Sequence, residues 1–404
     1  MRRYVLSRAA SSWASSSATP SAMNWNFPTP VRFGPGRVVE LPDACRELGI
    51  ERPLLVTDPG IAALSMVGAA VDVCEAAGLK TALFSSVQPN PTEQNVTDGV
   101  ACFKEHECDG VIAFGGGSAM DAAKCVALMA GQTRPLFDFE DREDWCTRVD
   151  EAGMVPCVAV PTTAGTGSEV GRASVITDER DHTKKIIFHA NMLPGKVILD
   201  PELTFGLPAN ITAFVGIDAL SHSMEAFSSP HYHPMAQGIA LEGMRLVKEF
   251  LPAACADGND VRARSQMMVA STLGATAFQK GLGGMHSLTH AAGGLLNTGH
   301  GETISIVMPY VAQFNKPAVD GLFCDLGRYL GLENATHTGV LDWILELRDE
   351  LGVAHTLGEI GVTEEHVAAL APVAVADPSS GSNPLPLDIA NVTALYEQAL
   401  SGRM

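Results

Sequence analysis

A change of pattern near Pro208 constrains the fold more than any other feature of the chain. From about residue 38 to 205, short β-branched or apolar runs alternate with helical periodicity. Pro53-Leu-Leu-Val-Thr-Asp58 reads as a buried strand ended by Asp-Pro-Gly, and residues 61–78 read as a helix. Thr81–Val87 is a strand closed by Pro-Asn-Pro, and 93–107 a helix. Gly110–Phe114 is a third strand, Ser118–Ala130 the helix that follows it, and Val155–Val160 a fourth strand. Ser174–Thr177 and Lys185–Phe188 pair as a hairpin, and Lys196–Asp200 is one more strand. Strands separated by helices form a mostly parallel sheet covered on both faces. After Pro208 the segments 209–226, 234–255, 260–280, 285–296, 303–315, 318–331, 338–352, 363–371 and 387–401 all favour helix, with no convincing strand. A Pro/Ser/Gly loop is expected at 375–386. The expectation is a Rossmann-like α/β domain over 24–207 and an all-α domain over 208–404.

Composition sets outer limits. The chain has 404 residues, 46% of them hydrophobic, enough to build a sizeable core without disulfides. Its formal net charge of −19 argues against nucleic acid and anionic membranes as partners. No apolar run is long enough to span a bilayer. The 9 cysteines include no C-x-x-C pair, which favours a reducing compartment. Residues 1–23 stand apart. Met1-Arg-Arg-Tyr-Val-Leu-Ser-Arg-Ala-Ala-Ser-Ser lacks acids and reads either as a mitochondrial-type transit peptide or as a disordered tail before a start at Met23. The expected location is cytoplasmic in the second case and mitochondrial in the first.

Two turns look built for phosphate. Gly115-Gly-Gly-Ser118 lies between a strand and a helix, where glycine lets the backbone approach a pyrophosphate and the helix N-terminus offers free N–H groups. It is not the G-x-G-x-x-G fingerprint, and a plain tight turn explains three glycines as well. Pro161-Thr-Thr-Ala-Gly-Thr-Gly-Ser-Glu169 follows the next strand, at the carboxyl end where open α/β sheets bind ligands. Asp58 also ends a strand. It can accept hydrogen bonds from an adenosine ribose, which favours NAD over NADP, or it can simply start the Asp-Pro-Gly turn.

The second half carries a metal-ligand pattern. Asp218 and His222 are four apart, as are His286 and His290, and His300 follows. Residues four apart share a helix face, so one carboxylate and several imidazoles can converge on one divalent ion. Such an ion lowers the pKa of an alcohol hydroxyl, and hydride leaves more readily once that proton is gone. Five candidate ligands compete for four positions. Either one histidine sits outside the ligand set, with an acid–base role, or the site is larger. His231 and His233, beside Pro230 and Pro234, read as a loop.

These motifs together resemble the iron-containing (group III) alcohol dehydrogenase family, which shares its architecture with dehydroquinate synthase. The resemblance runs from about Phe27 to the C-terminus. It is carried by Val-Thr-Asp58, Gln-Pro-Asn-Pro91, Gly115-Gly-Gly-Ser-Ala-Met-Asp-Ala-Ala-Lys124, Pro161–Glu169, Gly216–Ala226 and the block of His286, His290 and His300. It implies that Asp218, His222, His286 and His300 hold Fe(II), with Zn(II) the alternative, and that His290 lies near the nicotinamide. It implies that Gly116, Gly117, Ser118 and Asp121 serve the pyrophosphate turn and that Thr162, Thr163 and Thr166 line the NAD cleft. Asn90 and Asp58 fall on the adenosine side, and the lysine after the hairpin is Lys184 or Lys185. The implied reaction is reversible, NAD-linked oxidation of a small alcohol or hydroxy acid, catalysed by a homodimer or larger homo-oligomer. Asp218, His286 and His290 are the expected catalytic residues.

Two departures keep other readings open. Gly299 stands where the family often has proline, and His300-Gly-Glu-Thr-Ile-Ser is similar to the metal-free maleylacetate reductases; Asp218 favours the metal-dependent branch. A hydroxyacid–oxoacid transhydrogenase and a lyase like dehydroquinate synthase are the alternatives. Lys280 and Arg172 are the cations near these segments: either can pair with the carboxylate of an ω-hydroxy acid such as 4-hydroxybutyrate, or, on the preferred reading, both are solvated or salt-bridged surface residues.

Overall fold

The computed structural model describes residues 29–404; the segment 1–23 lies outside them. The first half comprises β1 (Val31–Phe33), α1 (Leu41–Glu47), β2 (Pro53–Val56), α2 (Pro59–Ala62), α3 (Ser65–Ala76), β3 (Ala82–Phe84), α4 (Glu93–Glu105), β4 (Gly110–Gly115) and α5 (Gly117–Met129). It continues with β5 (Cys157–Pro161), the antiparallel pair β6 (Ala173–Asp178) and β7 (Thr183–Phe188), and β8 (Lys196–Leu199). Six strands form one parallel sheet in the order β1-β8-β5-β4-β2-β3.

Side chains alternate across this sheet. Leu55, Ile112, Phe114, Val158, Val160 and Ile198 face a core covered by α1 and α3. Leu54, Val56, Val111, Ala113, Ala159 and Val197 face the other way, into a core continuous with the helical half. Burial on both faces explains why β4 and β5 read as unbroken apolar runs. The chain leaves β2 toward β3 on one side and builds β4, β5 and β8 on the other. The sheet therefore has its switch point between β2 and β4, and a crevice opens beyond the carboxyl ends of those two strands. Asp58 and the glycine turn sit there.

The second half is helical throughout: α6 (Ala209–Ser228), α7 (Pro234–Ala256), α8 (Val261–Ala277), α9 (Gly284–Leu296), α10 (His300–Phe314), α11 (Lys316–Tyr329), α12 (His337–Leu351), α13 (Glu364–Ala376) and α14 (Ile389–Ser401). All nine expected helices form.

Three local expectations change, and one strand was not expected. The helix expected over 61–78 is broken at Ala63-Leu64, where Leu64 is extended; α3 then turns to bury Val67, Ala70 and Cys74. α10 begins at His300 rather than 303. α13 runs through Pro372 instead of stopping before it. The three-residue β1 carried no sequence signal: it is an edge strand with Val31 and Phe33 exposed.

Candidate metal and cofactor site

The end of the cavity at the glycine turn is made of backbone. β4 ends at Gly115, whose φ of 144° is open only to glycine, and α5 starts two residues later without a side-chain cap. The first N–H groups of α5 are thus left to a ligand. A Cβ on Gly117 would stand 2.6 Å from Cγ2 of Thr166, so the two turns touch only because residue 117 has none. The Thr162 N–H donates to the Gly115 carbonyl at 3.0 Å, which locks the second turn to the first. The hydroxyls of Thr57, Thr162 and Thr163 are buried around these turns with no hydrogen-bond partner. Asp58 caps α2, accepting from the Ile61 N–H at 2.9 Å through one oxygen. Asp121 binds inward: it accepts from the Ser168 hydroxyl at 2.5 Å and the Val175 N–H at 2.8 Å, lashing α5 to the hairpin.

The hairpin β6–β7 leans on α9, and its tip carbonyl at His182 would clash at 2.6 Å with a Cβ on Gly294. This contact carries Lys184 over the cavity, while Lys185 turns outward to pair with Asp181 at 2.9 Å. Burial pushes the Lys184 ammonium down to about 8, against the opposing pull of Asp121, Asp377 and Asp218. Asn90, itself left-handed at φ 53°, donates to the Asn297 side chain at 2.7 Å, joining the sheet half to the helical half across the cleft.

The other end is made of side chains. The one-residue-in-four spacing puts Asp218 and His222 on the same face of α6, and α9 delivers His286 and His290. The first residue of α10 is His300. Oδ1 of Asp218 lies 3.8 Å from Nε2 of His222, 3.8 Å from Nε2 of His286 and 3.3 Å from Nε2 of His300. Ligand atoms of Asp218, His222 and His286 all fall within 4.8 Å of one another. Asp218 Oδ1 and His286 Nε2 are buried without a hydrogen-bond partner, a costly arrangement that a cation resolves. Burial pushes His222 down to about 4 and His300 down to about 3, so both rings are neutral, the form that binds a metal. Burial would raise Asp218, but His222, His300 and His286 outweigh it and hold the carboxyl well below its ordinary value. Three imidazoles and a carboxylate fit a divalent transition metal.

The fifth candidate separates from the other four. His290 Nδ1 lies 2.9 Å from Asp377 Oδ2, which orients the ring on the cavity wall. His233 caps α7, accepting from the Ala236 N–H at 3.2 Å. Asn90, Gly117, Ser118, Asp121, Thr166 and Lys184 share one cavity of about 250 Å³ with Asp218, His222, His286, His290 and His300. Gly116, Thr162, Thr163 and Asp58 are in the turns behind it. Lys280 is not in this cavity. Its ammonium is buried and donates to the Phe227 carbonyl at the end of α6 at 3.0 Å, and burial pushes it down to about 8. Lys280 thus fits neither reading, being neither beside the substrate cavity nor on the surface.

Two residues were missed. Glu225 lies on the ligand face of α6, seven after Asp218 and three after His222. Its Oε2 accepts from His286 Nδ1 at 2.6 Å, and its Oε1 accepts from the Met285 N–H at 2.6 Å. This aims His286 Nε2 at Asp218. The face spacing was a readable signal. Asp377 had none, being 87 residues from His290. Glu225→Ala is expected to weaken metal binding by about 10- to 100-fold, with Glu225→Gln recovering part of it, in a chelator competition assay.

Comparison with known proteins gives the family. Residues 28–201 match the model of the iron-containing alcohol dehydrogenase family, and residues 212–400 match its C-terminal region. This chain belongs to the iron-containing alcohol dehydrogenase family. It is similar to 4-hydroxybutyrate dehydrogenase of Cupriavidus necator, with 39% identity over 90% of this chain and 96% of that one. Its fold is similar to the crystal structure of 1,3-propanediol oxidoreductase, with a TM-score of 0.89 and 32% identity over 94% of this chain and 100% of that one. It is also similar to sulfoacetaldehyde reductase from Bifidobacterium kashiwanohense in complex with NAD+, with a TM-score of 0.83 and 28% identity over 94% and 100%. Among the described residues no helix is long and apolar enough to cross a membrane.

Proposed function

We propose that the chain is a metal-dependent, NAD-linked alcohol dehydrogenase and aldehyde reductase. It transfers hydride reversibly between a small alcohol or hydroxy acid and nicotinamide. The observation that carries this is the convergence of Asp218, His222, His286 and His300 in the same cavity as the glycine turn. Residues 24–207 hold the nucleotide: the N–H groups at Gly116, Gly117 and Ser118 take the pyrophosphate, and the hydroxyls of Thr162, Thr163 and Thr166 line the cleft. Asp58 has a second oxygen free of the cap for the adenosine ribose, and Asn90 borders the same side. Asp121 serves this end by holding the hairpin that presents Lys184. Residues 208–404 hold the ion, which we assign as Fe(II) on family grounds; the donor set also suits Zn(II). A bound ion supplies stabilisation of the negative charge that develops on the substrate oxygen.

Within this reading His290 moves the hydroxyl proton. Asp377 fixes its Nδ1–H, which leaves Nε2 as the acceptor. His290→Ala is expected to keep its metal and lower kcat by about 100-fold, with added imidazole restoring part of the rate. Loss of metal from that variant would make His290 a ligand instead. The free thiols of all described cysteines support a reducing, cytoplasmic setting. Assembly into a homodimer or larger homo-oligomer is part of the same reading, supported by the sheet edge that β1 leaves open among the described residues.

The test is NADH formation from C3 and C4 alcohols and diols by anaerobic, Fe(II)-loaded protein. Turnover that depends on both NAD and metal is expected. NAD-independent exchange between a hydroxy acid and an oxo acid, with nucleotide retained, would replace this reading with the transhydrogenase.

A further inference from the structure

One cation in the wall of the cavity serves neither the ion nor the turns. Arg172 follows the second turn and lies just before β6. It lines the inner cavity and also a wider outer one of about 570 Å³. The two share Gly171, Arg172, Ala173, Ile186, Phe278 and Leu282, so Arg172 stands at the boundary between them. The rest of the outer wall is largely apolar, with Val170, Phe188, Leu193 and Ala275.

The guanidinium of half-buried Arg172 lies 5.6 Å from the centre of the Phe188 ring. Among the described residues its side chain makes no hydrogen bond and no ion pair. Contact with a ring leaves the N–H fork unmatched, and a guanidinium at the boundary of two largely apolar cavities is suited to a planar, two-oxygen anion. Asp141 is the acid of the outer cavity. Burial pushes its carboxyl above the usual range, although Arg172 opposes this. Lys184, the other cation in the inner cavity, differs: Asp121, Asp377 and Asp218 already face it.

We infer that Arg172 anchors the carboxylate of a short ω-hydroxy acid, or of its semialdehyde, whose other end reaches the Asp218, His222, His286 and His300 cluster. This rests on the dehydrogenase reading above and adds the substrate class. Neutral alcohols of the same length then bind the same cavity without the anchor.

The test compares 4-hydroxybutyrate with 1,4-butanediol, which has the same chain with an uncharged end. Arg172→Met is expected to lower the ratio of their kcat/KM values, acid over diol, by about 100-fold, and Arg172→Lys by less. Butyrate, which cannot react, is expected to compete with 1,4-butanediol, and its Ki should rise by a similar factor in Arg172→Met. Equal losses for acid and diol would overturn the assignment. So would an unchanged butyrate Ki, a loss of NAD affinity that accounts for the whole effect, or a butyrate site removed by Lys184→Met and kept in Arg172→Met. If wild-type protein oxidises neither substrate, the dehydrogenase reading fails on its own. Calorimetric binding of butyrate to the Fe(II)- and NAD-loaded protein still decides the role of Arg172, because it needs no turnover.

Discussion

Replacing His286 with alanine is expected to cost both the bound metal and essentially all turnover. His286 is buried, its Nε2 has no partner but the cluster, and its Nδ1 is held by Glu225. Removing it takes away one of the four proposed ligands and leaves the Glu225 carboxylate with only the Met285 N–H. Loss of one neighbour that merely orients a ligand weakens a site by about 10- to 100-fold, so loss of the ligand should exceed that. Turnover should fall by at least about 1,000-fold if charge stabilisation by the ion dominates the rate. The variant also leaves a cavity and an underpaired carboxylate in the core, so some loss of stability is expected without any metal. Melting curves of metal-free wild type and variant isolate that part; metal content and activity measure the rest. A folded, active variant with no metal would refute the site.

The second large effect lies at the opposite end of the cavity. Gly117→Val is expected to weaken NAD binding by at least about 100-fold while metal content stays at the wild-type level. The backbone of Gly117 is not left-handed, so the cost is one of space rather than of strain. The added Cβ would stand 2.6 Å from Thr166 Cγ2 and 3.1 Å from Thr166 Oγ1. Thr166 is β-branched and cannot swing away freely, and its turn is locked to Gly115 through Thr162. The two turns must part, and the N–H groups proposed to receive the phosphates move with them. Gly117→Ala, with the same Cβ and no branches, should give a smaller loss. Fluorescence titration with NAD reads both variants. Together, His286→Ala and Gly117→Val separate ion from nucleotide: each should abolish one and spare the other.

Much of this site was legible because helix geometry writes itself into spacing. Asp218 and His222 had to share a face once 209–226 was read as a helix, and the same holds for His286 and His290. The glycine turn was legible as a strand-to-helix junction, though only the switch point between β2 and β4 explains why a ligand would sit there. Long-range pairing was not legible. Spacing makes His290 an equal of His286; only the packing of α6, α9 and α10 brings His222, His286 and His300 within 3.8 Å of Asp218 Oδ1 while His290 pairs with Asp377, 87 residues away. Lys280 fitted neither of the two readings that its sequence neighbourhood offered. Its nearness in sequence to His286 carried no information about direction, and the turn at 278–280 points its ammonium at the end of α6. Arg172 and Lys184 were separable from their neighbours only after the hairpin had been placed against α9.

The most direct test of the central claim is an anaerobic titration of metal-free protein with Fe(II), following bound metal and NAD-dependent alcohol oxidation in the same samples. The account predicts that activity rises in step with a single bound equivalent per chain and then stops rising. Full activity before any metal is added, or a saturated metal site with no gain in activity, would contradict it.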